Sequence, residues 1–259
     1  MSERMHIVPL QDNVWLLDDA GESTCYVIVG TEKAMVVDTC NGVENLQDIV
    51  RTITQLPLIV VNTHGHCDHI FGNPYFDEAW MHREDEALAA SHFSWMNASL
   101  SEEMKKPYDL QPCPFRWMEI GQVFDLGGEN LLEVVSLKGH TQGSIGLLDR
   151  KRRILFSGDG CNTHIWMQLE ESAPIAELYA TLQALKAEHG ADFDKVLCGH
   201  EREKPLPAAE IIDALMQGCE EIMRGETQQD VDYTYFAGTC KQHRISKTDP
   251  NRVIVYNAE

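Results

Sequence analysis

The chain has 259 residues, with 41 acidic against 21 basic, a formal net charge of −20 and 43% hydrophobic residues. That length suffices for one large α/β domain with a buried core. The acidity argues against a nucleic-acid or anionic-membrane partner, since both carry the same sign of charge. The longest apolar runs fall short of the roughly 18 residues of a membrane span, and the start lacks the layout of a signal peptide. The eight cysteines are therefore read as reduced thiols of a cytoplasmic protein.

In chain order, short apolar runs at Val14 to Leu17, Cys25 to Val29 and Ala34 to Val37 predict strands separated by turn residues. Val43 to Thr54 carries apolar residues at helical spacing, and Pro57 to Val61 reads as a buried strand. Residues 83 to 112 read as a helical insertion, with a helix over Glu84 to Ser91 and a second apolar stretch holding Phe93, Trp95 and Met96. Strands follow at Val123 to Leu126, Leu131 to Ser136, Ser144 to Leu148 and Arg153 to Phe156. A helix starts near Pro174, with Ile175, Leu178, Leu182 and Leu185 on one face. Lys195 to Cys198 is a further strand and Pro207 to about Arg224 a further helix. Tyr233 to Phe236 and Val253 to Tyr256 fit either strands or surface cover.

The chemistry concentrates in Thr63-His64-Gly65-His66-Cys67-Asp68-His69, directly after the buried strand. Four ligand-type side chains within six residues need a common partner, and a cation provides one. Gly139-His140-Thr141, Ser157-Gly158-Asp159 and Gly199-His200 each place another ligand-type residue beside glycine just past a predicted strand. Strand ends are where loops meet on a rigid frame. A bound divalent cation can acidify a water and polarise a carbonyl, so no serine or cysteine nucleophile is required.

These motifs, with Gly143-Ser144 and Leu155-Phe156, resemble the metallo-β-lactamase superfamily from the early strands through His200. The resemblance implies an α/β chain folded as an αββα sandwich, residues 1–259 forming one domain with the insertion inside it. It implies that His64, His66 and His140 hold one metal ion, that Asp68, His69 and His200 hold a second, and that Asp159 bridges them. Zinc is the expected metal, with iron and manganese also compatible with the ligands. In the commonest zinc β-lactamases a cysteine stands where Asp159 stands here. Aspartate is shared with glyoxalase II-like thioesterases and with lactonases. The expected reaction is therefore attack of a metal-bound hydroxide on a carboxylic ester, thioester or lactone, ahead of β-lactam or phosphodiester cleavage. An oxidoreductase resembling the persulfide dioxygenases, with one iron on His64, His66 and Asp159, is the alternative.

Asp68 is the candidate catalytic residue beyond its ligand role, orienting the hydroxide. His164 and Trp166, close after Asp159, are candidate substrate contacts. Asp38 is read either as a turn cap or as a carboxylate orienting a ligand histidine, Cys67 and Cys161 as packing residues, and Glu170-Glu171 as solvated surface. The expected partner is a small-molecule substrate, with the chain acting alone or as a homodimer.

Overall fold

Apolar side chains alternate along the strands with a period of two, and the two faces they define both find a partner. The computed structural model describes residues 4–99, 113–200 and 205–258. One sheet runs in sequence order through β1 (Met5–Pro9), β2 (Val14–Asp19), β3 (Ser23–Val29), β4 (Ala34–Val37), β5 (Leu58–Val61), β6 (Ala79–His82) and β7 (Phe115–Met118). It is antiparallel up to β4 and parallel from β4 onward. A second sheet has the order β14 (Leu206–Pro207), β13 (Lys195–Cys198), β11 (Ile154–Gly158), β10 (Ile145–Asp149), β9 (Leu131–Ser136) and β8 (Val123–Asp125).

The inner faces of the two sheets share one core, with Leu16, Ile28, Met35 and Val61 from the first meeting Leu132, Leu147, Phe156 and Leu197 from the second. Their alternate neighbours point outward. Leu17, Val27, Val36 and Val60 pack on Leu46, Ile49 and Val50 of α1 (Leu46–Arg51). Val135, Leu148, Leu155 and Val196 pack under α4 (Ile175–His189) and α5 (Ala208–Met223). The result is an αββα sandwich, as the motifs implied. Between these helices in the chain lie the short α2 (Cys67–Ile70) and α3 (Glu86–Ser99).

Several boundaries depart from the sequence expectation. The helix foreseen from Val43 starts at Leu46, because Gly42 turns the chain at φ +66° and the Asn45 side chain caps the amide of Asp48. The segment foreseen as a helix followed by a second apolar stretch is the continuous α3, and the rest of the foreseen insertion, residues 100–112, lies outside the described residues. Both tail segments are strands. They belong to a third sheet with the order β12 (His164–Trp166), β17 (Val253–Tyr256), β16 (Gly238–Arg244) and β15 (Val231–Tyr235).

Candidate metal centre

The loops following β4, β5, β9, β11 and β13 converge at one edge of the sandwich. His64 leaves the end of β5, His66 is the N-cap of α2, and Asp68 and His69 lie on that short helix. His140 sits between β9 and β10, Asp159 directly after β11, and His200 just past β13. The geometry brings all seven residues together. The rings of His64, His66 and His140 stand 4.6 to 5.0 Å apart by centroid, and ligand atoms of Asp68, His69 and His200 lie within 4.8 Å of one another. Asp159 stands between the two groups, with Oδ2 3.8 Å from His140 Nε2 and 3.0 Å from His200 Nε2, and Oδ1 3.8 Å from His69 Nε2.

Two glycines make this approach feasible. Gly158 takes φ +49° where β11 shifts register, and a Cβ there would meet Thr63 Oγ1 at 2.1 Å. A Cβ on Gly199 would meet Asp159 Oδ1 at 2.4 Å and His69 Cε1 at 2.6 Å.

Each of the five histidines is fixed through one ring nitrogen by an acceptor, which orients the ring and leaves its other nitrogen for the centre. His140 Nδ1 donates to the Trp166 carbonyl at 2.7 Å, and His200 Nδ1 to the Glu22 carbonyl at 2.8 Å. His69 Nδ1 donates to Asp38 Oδ2 at 2.8 Å, and His66 Nε2 to Glu171 Oε1 at 2.6 Å. Thr63 Oγ1 donates to Asp38 Oδ2 at 2.8 Å and accepts from His64 Nδ1 at 3.1 Å. The opposite nitrogens all face the centre. His140 Nε2 and His66 Nδ1 lie 2.9 Å apart, and His64 Nε2 and His69 Nε2 are buried without a hydrogen-bond partner. Buried imidazole nitrogens converging in this way are costly unless protons or a metal cation sit among them. The donor set, imidazole nitrogen and carboxylate oxygen, suits zinc and related divalent ions.

The two halves differ electrostatically. Burial and the neighbouring imidazoles push His64 well below the usual histidine range, and burial with His66 brings His140 down to about 4. In the other half, burial opposes the charged forms but the partners prevail. Asp68, Asp38 and Asp159 raise His69 to about 10, and Asp159 and Asp68 raise His200 to about 9. Burial would likewise raise Asp159, yet His200 and His69 hold it well below the usual carboxylate range.

Asp38 takes the orienting role, not that of a simple turn cap. It sits at φ +62°, a strained conformation for a residue with a side chain, and also accepts the Thr63 amide at 2.7 Å. Glu171 corrects the surface expectation. It is half-buried on His66, while Glu170 is exposed. Asp85 was not foreseen. Buried 1% exposed, it accepts from the Gly65 amide, the Gly143 amide and the Thr141 hydroxyl at 2.7 to 2.8 Å, tying the His64–His66 loop to the His140 loop. In the sequence it reads as one more acid in Arg83-Glu84-Asp85, and only the fold distinguishes it.

A cavity of about 500 Å³ opens over these candidate ligands. His164 and Trp166 both line it, joined by Leu169, Tyr233 and Phe236. His92 lines it too. The Cys67 amide donates to His92 Nδ1 at 3.0 Å, so the hydrogen of this neutral imidazole is on Nε2. The insertion's apolar residues divide: Phe93 packs on Phe71, Trp95 is 59% exposed, and the Met96 side chain lies outside the described residues. A larger depression of about 870 Å³ lies between α5 and the third sheet and contains none of the seven ligands. Cys67 also borders the main cavity, but burial pushes its thiol up to about 12, and burial raises Cys161 further still. Neither is a thiolate at neutral pH.

The profile of the metallo-beta-lactamase superfamily matches residues 18–200. The chain belongs to that superfamily. It is similar to the acyl-coenzyme A thioesterase MBLAC2 of Gallus gallus, with 29% identity covering 55% of this chain and 58% of that protein. The Homo sapiens protein of the same name is 30% identical over 55% and 59%. The hydroxyacylglutathione hydrolase GloC of Haemophilus influenzae is 28% identical over 54% of this chain and 67% of its own length. The chain thus spans under three fifths of the thioesterases it matches. Among solved structures, the DIM-1 metallo-beta-lactamase superposes with a TM-score of 0.63 at 19% identity, covering 85% of this chain and 98% of that one. At that identity the likeness concerns the fold. Among the described residues no helix is long and apolar enough to cross a membrane.

Proposed function

We propose that this chain is a dinuclear metal-dependent hydrolase of thioesters, with carboxylic esters and lactones as secondary substrates. The observation that carries the reading is the set of five histidines locked through their outer nitrogens, with their inner nitrogens turned on one centre beside Asp68 and Asp159. His64, His66 and His140 would hold one ion, Asp68, His69 and His200 the other, and Asp159 both. Zinc fits this donor set first, with iron or manganese as alternatives. Bound there, the metals supply Lewis acidity and an acidified water at neutral pH.

The chain's own groups do the rest. Asp68 lines the cavity and accepts a hydrogen from the attacking water, aiming it at the acyl carbon. His92 presents Nε2–H as a donor to the substrate, and His164 and Trp166 form the adjoining wall. A thiolate leaves without prior protonation far more readily than an alkoxide, so a thioester makes the smaller demand on proton delivery here. The similarity to proteins named as thioester hydrolases supports the same choice. The eight free cysteines suit a reducing compartment, and we place the protein in the cytoplasm.

The test is metal analysis of purified protein followed by rates on thioesters, esters and lactones. Near two divalent ions per chain with thioester turnover supports the reading. One iron per chain with oxygen uptake on a persulfide replaces it with the oxidoreductase.

A further inference from the structure

The third sheet carries a continuous strip of aromatic rings away from the metal ligands. His164 lies 5.5 Å from Tyr233 by ring centroid, Tyr233 lies 6.0 Å from Trp166, and Trp166 lies 5.8 Å from Tyr235 and 6.3 Å from Phe236. The inner end is anchored to the site. Asn162, just before β12, donates to Asp159 Oδ1 at 3.3 Å, and the carbonyl of Trp166, which ends that strand, holds His140. The outer end is the tip of the β15–β16 hairpin, closed by the Tyr235–Gly238 pair. There Phe236 lines the cavity and is nonetheless 86% exposed. The phenyl ring meets Trp166 and Tyr235 but leaves most of its surface in water. It gains apolar burial only when something apolar lies along the strip.

We infer that this strip is the acyl-binding wall. It takes a straight apolar acyl chain that starts with its carbonyl carbon over the ligands and is long enough to reach Phe236. The assignment rests on the thioesterase reading for its substrate, and it selects among thioesters by the acyl group instead of by the thiol. Short or hydroxylated acyl groups leave Phe236 and Tyr235 in water. Long ones cover them, so preference rises with chain length until the strip is filled.

The experiment uses metal-loaded protein and a series of N-acetylcysteamine thioesters from butanoyl to dodecanoyl. In the wild type, kcat/KM climbs by up to about fourfold per added methylene. Phe236→Ser lowers the dodecanoyl-to-butanoyl ratio by about tenfold. Trp95→Ser, which removes an exposed aromatic outside the cavity lining, leaves that ratio as it is. In parallel, binding of dodecanoate is followed by calorimetry and tryptophan fluorescence, with no turnover needed, and Phe236→Ser weakens it by a similar factor. If no thioester is hydrolysed but dodecanoate binding still depends on Phe236, the proposed reaction fails and the wall stands. If thioesters are hydrolysed with no length preference, and Phe236→Ser changes neither ratio nor binding, the wall fails and the hydrolase stands. If the wild type sediments as a dimer that Phe236→Ser dissociates, with the length preference intact, Phe236 belongs to a contact between copies and the acyl assignment is overturned.

Discussion

At the scale of single residues, the centre is defined less by which side chains are present than by what holds each one from behind. His66 shows this most clearly. Its Nδ1 faces the cavity, and the Glu171 carboxylate on Nε2 fixes the tautomer that makes Nδ1 a ligand. Outer carboxylates of this kind are worth about 10–100-fold in metal affinity. Glu171→Gln is expected to weaken metal binding at the proposed His64, His66 and His140 position by that factor. Glu170→Gln, altering an exposed neighbour, leaves it alone. Competition with a chromophoric chelator measures both, and equal effects would remove Glu171 from the site. Asp159 makes a sharper case because it spans both halves. Asp159→Ala should lower the metal content at both positions and cut kcat/KM by about 10³-fold or more. Full metal content in that variant would mean that Asp159 does not bridge. The seven inner residues were legible in the sequence because they cluster in short glycine-punctuated motifs. Glu171, Asp85 and His92 were not, because their partners lie 105, 20 or 58, and 25 residues away and no local pattern marks them.

At the scale of elements, legibility follows length and local contrast. Strands such as β2, β3 and β9, apolar runs bounded by turn residues, stand out from the sequence alone. By contrast, β6 pairs with β5 through the single register point Val61–Trp80, and the three-residue β12 pairs with β17, nearly ninety residues on. Neither is long enough to show a period, and only tertiary pairing makes it a strand. The undecided tail belongs to the same class. Yet these weak elements do positional work: the turn after β6 delivers Asp85, and β12 delivers the carbonyl that orients His140. Asp85→Ala strands two buried amides and a hydroxyl at once. Each buried donor left unmade costs about 1–3 kcal/mol. A loss of roughly 3 kcal/mol or more is expected in urea unfolding, with lower metal retention on dialysis. Asp85→Asn, which keeps an acceptor oxygen, should recover part of both. Full stability in Asp85→Ala would show that the two loops are held by something else.

At the scale of the whole molecule, two imidazoles of this acidic chain are charged at the candidate centre before any metal is bound. With no metal bound, protonated His69 and His200 sit among Asp38, Asp68 and Asp159, raised to about 10 and about 9, while His64 and His140 stay neutral at pH 7. Metal ions need deprotonated imidazole, so loading the centre at pH 7 must displace those protons. Calorimetric titration of metal-free protein in two buffers of different ionisation enthalpy should report release of about two protons per chain. The same shifts fix the sign of a stability change. An imidazole whose pKa is raised on folding stabilises the folded chain fully below its unfolded value near 6.5. That contribution disappears as pH rises through about 9 and 10. Metal-free protein should therefore melt at progressively lower temperature from pH 7 to pH 10. Metal-loaded protein, with both imidazoles already deprotonated and held by the ions, should show little change over that window. Melting curves of the two forms across the range provide the comparison. A metal-free form that gains stability on the alkaline side would mean that His69 and His200 are neutral in it, and the expected proton release would vanish with them.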